Sequence, residues 1–123
     1  MNPEASRIRV WQALSTLWLD TELQESELRW VAAELVASGL SRQELEAIYL
    51  YEVAPLLWPN LWVAAGAWAG FDAGWLAAGC LRNRRRRESR WHRWKCRLLR
   101  RPMTYATASD WRRIQALLDQ EFH

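Results

Sequence analysis

Apolar residues along this chain recur every three or four positions, and the polar residues between them keep the same period. Ile8, Trp11, Leu14, Leu17 and Trp18 predict a first amphipathic helix, ended by Asp20 and Thr21. Leu28, Val31, Ala32, Leu35 and Val36 predict a second, beginning near Glu25 or Ser26. It stops at Gly39, the residue best suited to a left-handed C′ position. Ser41 and Glu44 have capping-box spacing and open a third helix through Leu45, Ile48 and Tyr49. Pro55 and Pro59 bracket a turn or kinked short helix around residues 56–58.

A fourth helix is predicted over residues 61–69. Gly70 stops it, and Asp72 caps a fifth through Trp75, Leu76 and Leu81, with the like charges at 84–87 working against its continuation. A sixth covers residues 88–100 and is stopped by Pro102. Thr107 or Ser109 caps a last helix with Trp111, Ile114, Leu117 and Leu118 on one face. No segment alternates with period two. The prediction is an all-α fold, a compact bundle of about six to seven short helices.

The 123 residues, half of them apolar, suffice for one core, so residues 1–123 are expected to form a single helical domain. Ten tryptophans let a small fold bury a large area with few side chains. Two cysteines, Cys80 and Cys96, are too few for a disulfide framework, and no secretory leader is visible. A cytoplasmic location is the expectation. Residues 61–81 resemble a membrane span followed by basic residues, but Asp72 falls near their middle and Ala, Gly and Trp dominate their apolar content. Membrane insertion is therefore disfavoured.

Charge changes the picture. The net charge of +3 conceals a polarised chain, because residues 82–101 hold eleven of the seventeen Lys and Arg residues and only one acid, Glu88. Residues 1–81 carry four bases and ten acids. Such a field attracts anionic partners and speeds encounter with them. At helical spacing Arg90, Arg93, Arg97 and Arg100 form one stripe, extended by Arg86, while Trp91, Trp94 and Leu98 form a second. The expected arrangement buries the tryptophans against the bundle and turns the arginines outward. The candidate partner-binding residues are Arg86, Arg90, Arg93, Arg97, Arg100, Trp91 and Trp94.

Three readings of the arginines compete. They pair within the chain, with Glu22, Glu25, Glu27, Glu34, Glu44, Glu46 and Glu52 as counter-ions; they track nucleic-acid phosphates, with a tryptophan stacked on bases; or they meet an acidic protein. An anionic membrane surface would require Trp91 and Trp94 to be exposed.

Other chemistry is thinner. His92 and Cys96, four apart, have a spacing that two metal ligands on one helix face use, but only Cys80 and His123 are available to join them, so neither metal nor cofactor is expected. Positive neighbours would favour a Cys96 thiolate. Asp72 reads as an N-cap, and Glu22 and Glu25 as helix-start residues; Glu52 has no local explanation and reads as a buried hydrogen-bond acceptor. Phosphate loops, nucleophile elbows and metalloprotease helices are missing from the sequence, and no enzymatic activity is expected.

Val-Trp-Gln-Ala-Leu-Ser at 10–15, Leu-Asp-Thr-Glu-Leu at 19–23, Glu-Val-Ala-Pro at 52–55 and the stretch from Pro59 to Asp72 together resemble a family of small bacterial proteins known as a domain of unknown function. The resemblance spans roughly residues 8–80 and implies a cytosolic, mostly helical protein without assigned functional residues. In size and type the chain is also similar to immunity proteins that neutralise secreted antibacterial toxins. The combined expectation is a non-catalytic protein that binds an acidic partner, an immunity-type protein facing such a toxin, with a nucleic-acid-binding accessory role as the alternative.

Overall fold

A computed structural model describes residues 3–18, 23–60 and 72–121. Among them no strand occurs, and the architecture is an all-α bundle. Helix α1 spans Pro3–Ser15 and passes into a 3₁₀ turn, Thr16–Trp18. Trp11, Leu14, Leu17 and Trp18 are buried as the periodicity predicts, whereas Ile8 lies at the edge and stays partly exposed. Helix α2, Glu25–Ala37, buries Leu28, Val31, Ala32 and Leu35, and Gly39 takes a φ of 75°, the left-handed conformation expected there. Asp20, Thr21 and Glu22, the fourth helix with Gly66 and Gly70, and His123 lie outside the described residues.

Helix α3, Arg42–Ala47, starts with Ser41 Oγ accepting the Glu44 N–H at 3.1 Å. Only half of the predicted capping box forms, because the Glu44 carboxylate is drawn to two arginines instead.

Of the two alternatives for the segment around Pro55, a turn or a kinked short helix, the helix forms, and Pro55 lies inside it. Ile48–Val53 widen into π-helix and continue directly into α4, Ala54–Leu57, giving one helical rod over residues 42–57. The physical reason lies in the proline ring. In a regular α-helix it would strike the carbonyl four residues earlier, that of Tyr51, and would offer it no N–H. The wider turn makes room for the ring, and the Ala54 N–H reaches back to Tyr49 O in π-helical fashion. Two carbonyls of the rod are then served by side chains: His92 Nε2 donates to Tyr51 O at 2.9 Å, and Asn83 Nδ2 to Glu52 O at 2.9 Å.

Helix α5, Ala73–Arg86, begins where predicted, with Asp72 Oδ2 accepting the Trp75 N–H at 2.9 Å, and ends inside the arginine run. It lies close on the rod at Gly79, where a Cβ would stand 2.6 Å from both Leu56 methyls, so a larger residue would require the Leu56 side chain to move. Ser89 caps α6, Arg90–Leu98. The predicted single helix to residue 100 breaks at Leu99, and Pro102 is not its stop. Pro102 sits in the first turn of a separate helix α7, Arg100–Thr104, where a missing N–H costs no intrahelical bond. Helix α8, Ala108–Glu121, packs chiefly on α2 and buries Trp111, Ile114 and Leu118. Thr107 holds its cap position through its carbonyl, while its hydroxyl pairs with Tyr49 Oη at 2.7 Å.

The rod is the centre of the bundle, touched by α1, α5 and α6. Around it Trp18, Tyr49 and Trp111 form an aromatic block, with Tyr49 stacked on Trp111 at 4.3 Å and 10°. Desolvation raises the buried Tyr49 phenol to about 12, which keeps it a neutral hydrogen-bonding group.

Candidate functional site

The deepest anchor of the arginine-rich segment is Arg87. It stands at the C-terminus of α5, and its Nη1 donates to Glu44 Oε1 at 2.7 Å and Glu52 Oε2 at 2.6 Å, while Nη2 reaches Glu44 Oε2 at 3.2 Å. From α1, Arg7 Nη1 contacts both Glu52 oxygens at 3.1 and 3.0 Å, and its Nη2 donates to Glu44 at 2.9 Å. Trp11 Nε1 completes the set with a 2.8 Å bond to Glu52 Oε1. Two arginines thus balance two carboxylates, and Glu52 is fully enclosed. The hydrogen bond from Arg87, followed by that from Arg7, holds the Glu44 carboxyl down at about 2 despite opposing desolvation. The expectation that Glu52 is a buried acceptor is met. The pairing of Arg87 with Glu44 and Glu52 is also the internal pairing that the sequence offers as one of three readings, whereas nothing in it points to Arg7 and Trp11 as partners.

Beyond this anchor the predicted site residues divide. Arg93 Nη1 donates to the Arg87 carbonyl at 3.1 Å, Arg97 Nε to Tyr51 Oη at 3.0 Å, and Arg100 Nη2 to Glu46 Oε1 at 2.9 Å. These three turn back onto the bundle. Arg86 and Arg90 are exposed and make no ion pair among the described residues, and Arg84, Arg85 and Arg101 behave likewise.

The tryptophans reverse the expectation. Trp91 is 66% exposed, Trp94 54% and Leu98 64%, whereas the face of α6 that enters the core carries His92 and Cys96. The two faces are separated by roughly 130° of helix. The phase of α6 is fixed upstream, where Arg87 is locked by two carboxylates and Ser89 caps the first turn. That phase puts His92 over the Tyr51 carbonyl freed by Pro55 and leaves Trp91 outside.

The resulting surface is an apolar stripe with charged margins. The rings of Trp91 and Trp94 meet in a tilted contact at 5.2 Å and 31°, Leu98 continues them one turn on, Arg90 and Arg97 border one side and Lys95 the other. Leu98 and Lys95 join the residues named from sequence; helical spacing already placed Leu98 in this stripe.

Among the described residues, no group of three or more His, Cys, Asp or Glu suited to a metal occurs around His92 and Cys96 or elsewhere; His123 lies outside them. Nor is Cys96 activated. Burial raises its thiol pKa, outweighing Lys95, and Cys80 is raised more strongly by burial. Burial also lowers the pKa of His92, with Lys95 and Arg86 acting the same way, so the ring is neutral with Nε2–H donating to Tyr51. The folded value lies below the unfolded value of about 6.5, so the unfolded chain takes up the proton first. Stability is complete above that pH and falls as acid is added. His92→Gln, whose amide can donate to the same carbonyl, is expected to flatten the loss between about pH 7 and 5.5 in urea titrations followed by circular dichroism. An unchanged slope would place the acid sensitivity elsewhere.

No helix among the described residues is long and apolar enough to cross a membrane. No curated protein and no solved structure matches the chain. One family model does, over residues 5–117, a range that includes most of α1, the rod and the whole arginine-rich segment. The chain therefore belongs to the DUF7079 family, a domain of unknown function.

Proposed function

We propose that this chain is a non-catalytic binding protein whose partner is an acidic protein, engaged through Trp91, Trp94 and Leu98 with Arg86 and Arg90 beside them. The observation carrying the reading is the exposed tryptophan pair, held rigidly on an anchored helix next to guanidiniums without counter-ions among the described residues. Large aromatics and arginine are the side chains that concentrate binding energy at protein interfaces. Of the carboxylates among the described residues, Asp72 serves as a cap and Glu52 as an ion-pair acceptor. An immunity-type role, with a secreted bacterial toxin as the acidic partner, is the form of this reading suited to a small rigid scaffold with a steering field. A cytoplasmic location accords with two free, buried thiols.

Nucleic acid is the second reading, since unpaired arginines also suit phosphates. The tilted contact of Trp91 with Trp94, together with aliphatic Leu98 in the same stripe, favours an apolar protein contact over bases inserted between rings. The test is affinity capture from host lysate with and without nuclease, using Arg86→Glu/Arg90→Glu as the paired bait. A discrete acidic protein retained by the wild type, nuclease-resistant and lost from the variant, is expected. Nuclease-sensitive material alone would move the assignment to nucleic acid, and identical capture by both baits would remove the arginines from the interface.

A further inference from the structure

A second basic surface lies away from the tryptophan stripe, in a groove of about 740 Å³ between α7 and α8. Arg100 and Arg101 border it from α7, Arg112 and Ser109 from α8, Tyr105 stands at its rim, and Tyr49 and Trp111 lie at its base. Charge is not evenly distributed among the three arginines. Arg100 is balanced by Glu46, whose second oxygen accepts from Trp111 Nε1 at 2.9 Å and Gln115 Nε2 at 3.1 Å. Arg101 and Arg112 have no ion pair or hydrogen bond through their side chains among the described residues, so the groove keeps two uncompensated positive charges. Asp110, the acid on the first turn of α8, points to the other side of the helix, roughly 160° from Arg112.

Tyr105 adds a different kind of observation. It is 88% exposed, the most exposed large aromatic of the described residues, and it sits beside the two unpaired guanidiniums. An aromatic face in water next to paired cations suits a ligand that is flat at one end and anionic at the other. A phosphomonoester carries about 1.5–2 negative charges at neutral pH, matching the pair of free arginines. The groove volume falls within the range of roughly 300–1,000 Å³ typical of small-molecule sites.

We propose that this groove binds a mononucleotide, its phosphate between Arg101 and Arg112, with the Ser109 hydroxyl as a further donor, and its base on Tyr105. The site is separate from the Trp91–Trp94 surface and does not depend on the identity of any protein partner.

The test uses the whole chain, AMP and inorganic phosphate as probes, and NMR shift titration up to about 10 mM ligand. Saturable AMP binding is expected, with shifts at residues 100–112. Arg101→Glu/Arg112→Glu should weaken it at least about tenfold, the effect of reversing two phosphate contacts. Tyr105→Ala should weaken AMP about fivefold or more, the lower end for loss of base stacking, and leave inorganic phosphate unchanged. Each variant lies on an exposed position, and its amide spectrum shows whether it is folded. Trp91→Ala/Trp94→Ala should bind AMP as the wild type does. Absence of a saturable AMP response, AMP binding unaffected by the arginine reversals, or phosphate binding as tight as AMP would overturn the proposal.

Discussion

Glu52→Ala is expected to lower the free energy of unfolding by about 3–5 kcal/mol, a large part of the roughly 5–15 kcal/mol that holds an ordinary domain together. The side chain accepts from three groups at once, Arg7, Arg87 and Trp11, at distances of 2.6–3.1 Å. Removing it leaves Arg7 buried on α1 with only the Glu44 oxygen that its Nη2 already holds. Desolvating an uncompensated guanidinium is the dominant loss, ahead of any cavity left by the side chain. Glu52→Gln should lie between the two, since an amide oxygen still accepts but carries no charge. Removing both partners, as in Arg7→Met/Glu52→Leu, should cost clearly less than the sum of the single losses, because no buried charge remains unpaired between them. Urea unfolding at pH 7 of the wild type, Glu52→Ala, Glu52→Gln, Arg7→Met, Glu52→Leu and the double variant measures this directly. A loss below about 1 kcal/mol for Glu52→Ala, or strict additivity in the double variant, would contradict the role assigned to the cluster. The variant should also loosen residues 82–101, because Glu52 is one of the two carboxylates fixing Arg87.

How much of this was legible in sequence depends on the range over which each determinant acts. Caps and stops are local. Ser41, Asp72 and Gly39 act on backbone groups within four residues, and all three appear where the sequence puts them. The buried face of α2 follows from period alone, because nothing polar interrupts it. Pro55 shows where local rules end. Its ring and missing N–H do disturb the helix, but two side chains from elsewhere in the chain, His92 and Asn83, serve the affected carbonyls, so the helix bends its geometry instead of stopping. No rule confined to residues near Pro55 supplies those donors.

The same long-range contact explains the error at α6. Hydrophobicity ranks Trp91 and Trp94 above His92 as core residues, and a helix read in isolation would bury them. The rod offers α6 an unpaired carbonyl, however, and Arg87 has already fixed the chain direction through carboxylates 35 and 43 residues away in sequence. A polar residue inside and two indoles outside are the outcome. Where a chain sets aside its local preference in this way, the exposed residues are the natural place to look for function.

That inversion leads to the second large effect. Trp91→Ala/Trp94→Ala is expected to leave the unfolding free energy within about 1 kcal/mol of wild type, since both indoles are more than half exposed and their chief contact is with each other. Partner affinity should fall about a hundredfold or more, because a tryptophan at the centre of an interface commonly contributes about 2 kcal/mol or more. Trp111→Ala is the useful contrast. That ring is almost wholly buried, stacked on Tyr49 and bonded to Glu46, and its loss should cost about 3–5 kcal/mol of stability. The two variants therefore separate binding from packing: one loses the partner while remaining folded, the other loses the fold. Comparison of urea midpoints with quantitative capture of the partner reads both effects on the same proteins. If Trp91→Ala/Trp94→Ala retains full capture, the stripe is not the interface. If it unfolds as readily as Trp111→Ala, the indoles support the fold, and the binding role assigned to α6 falls with them.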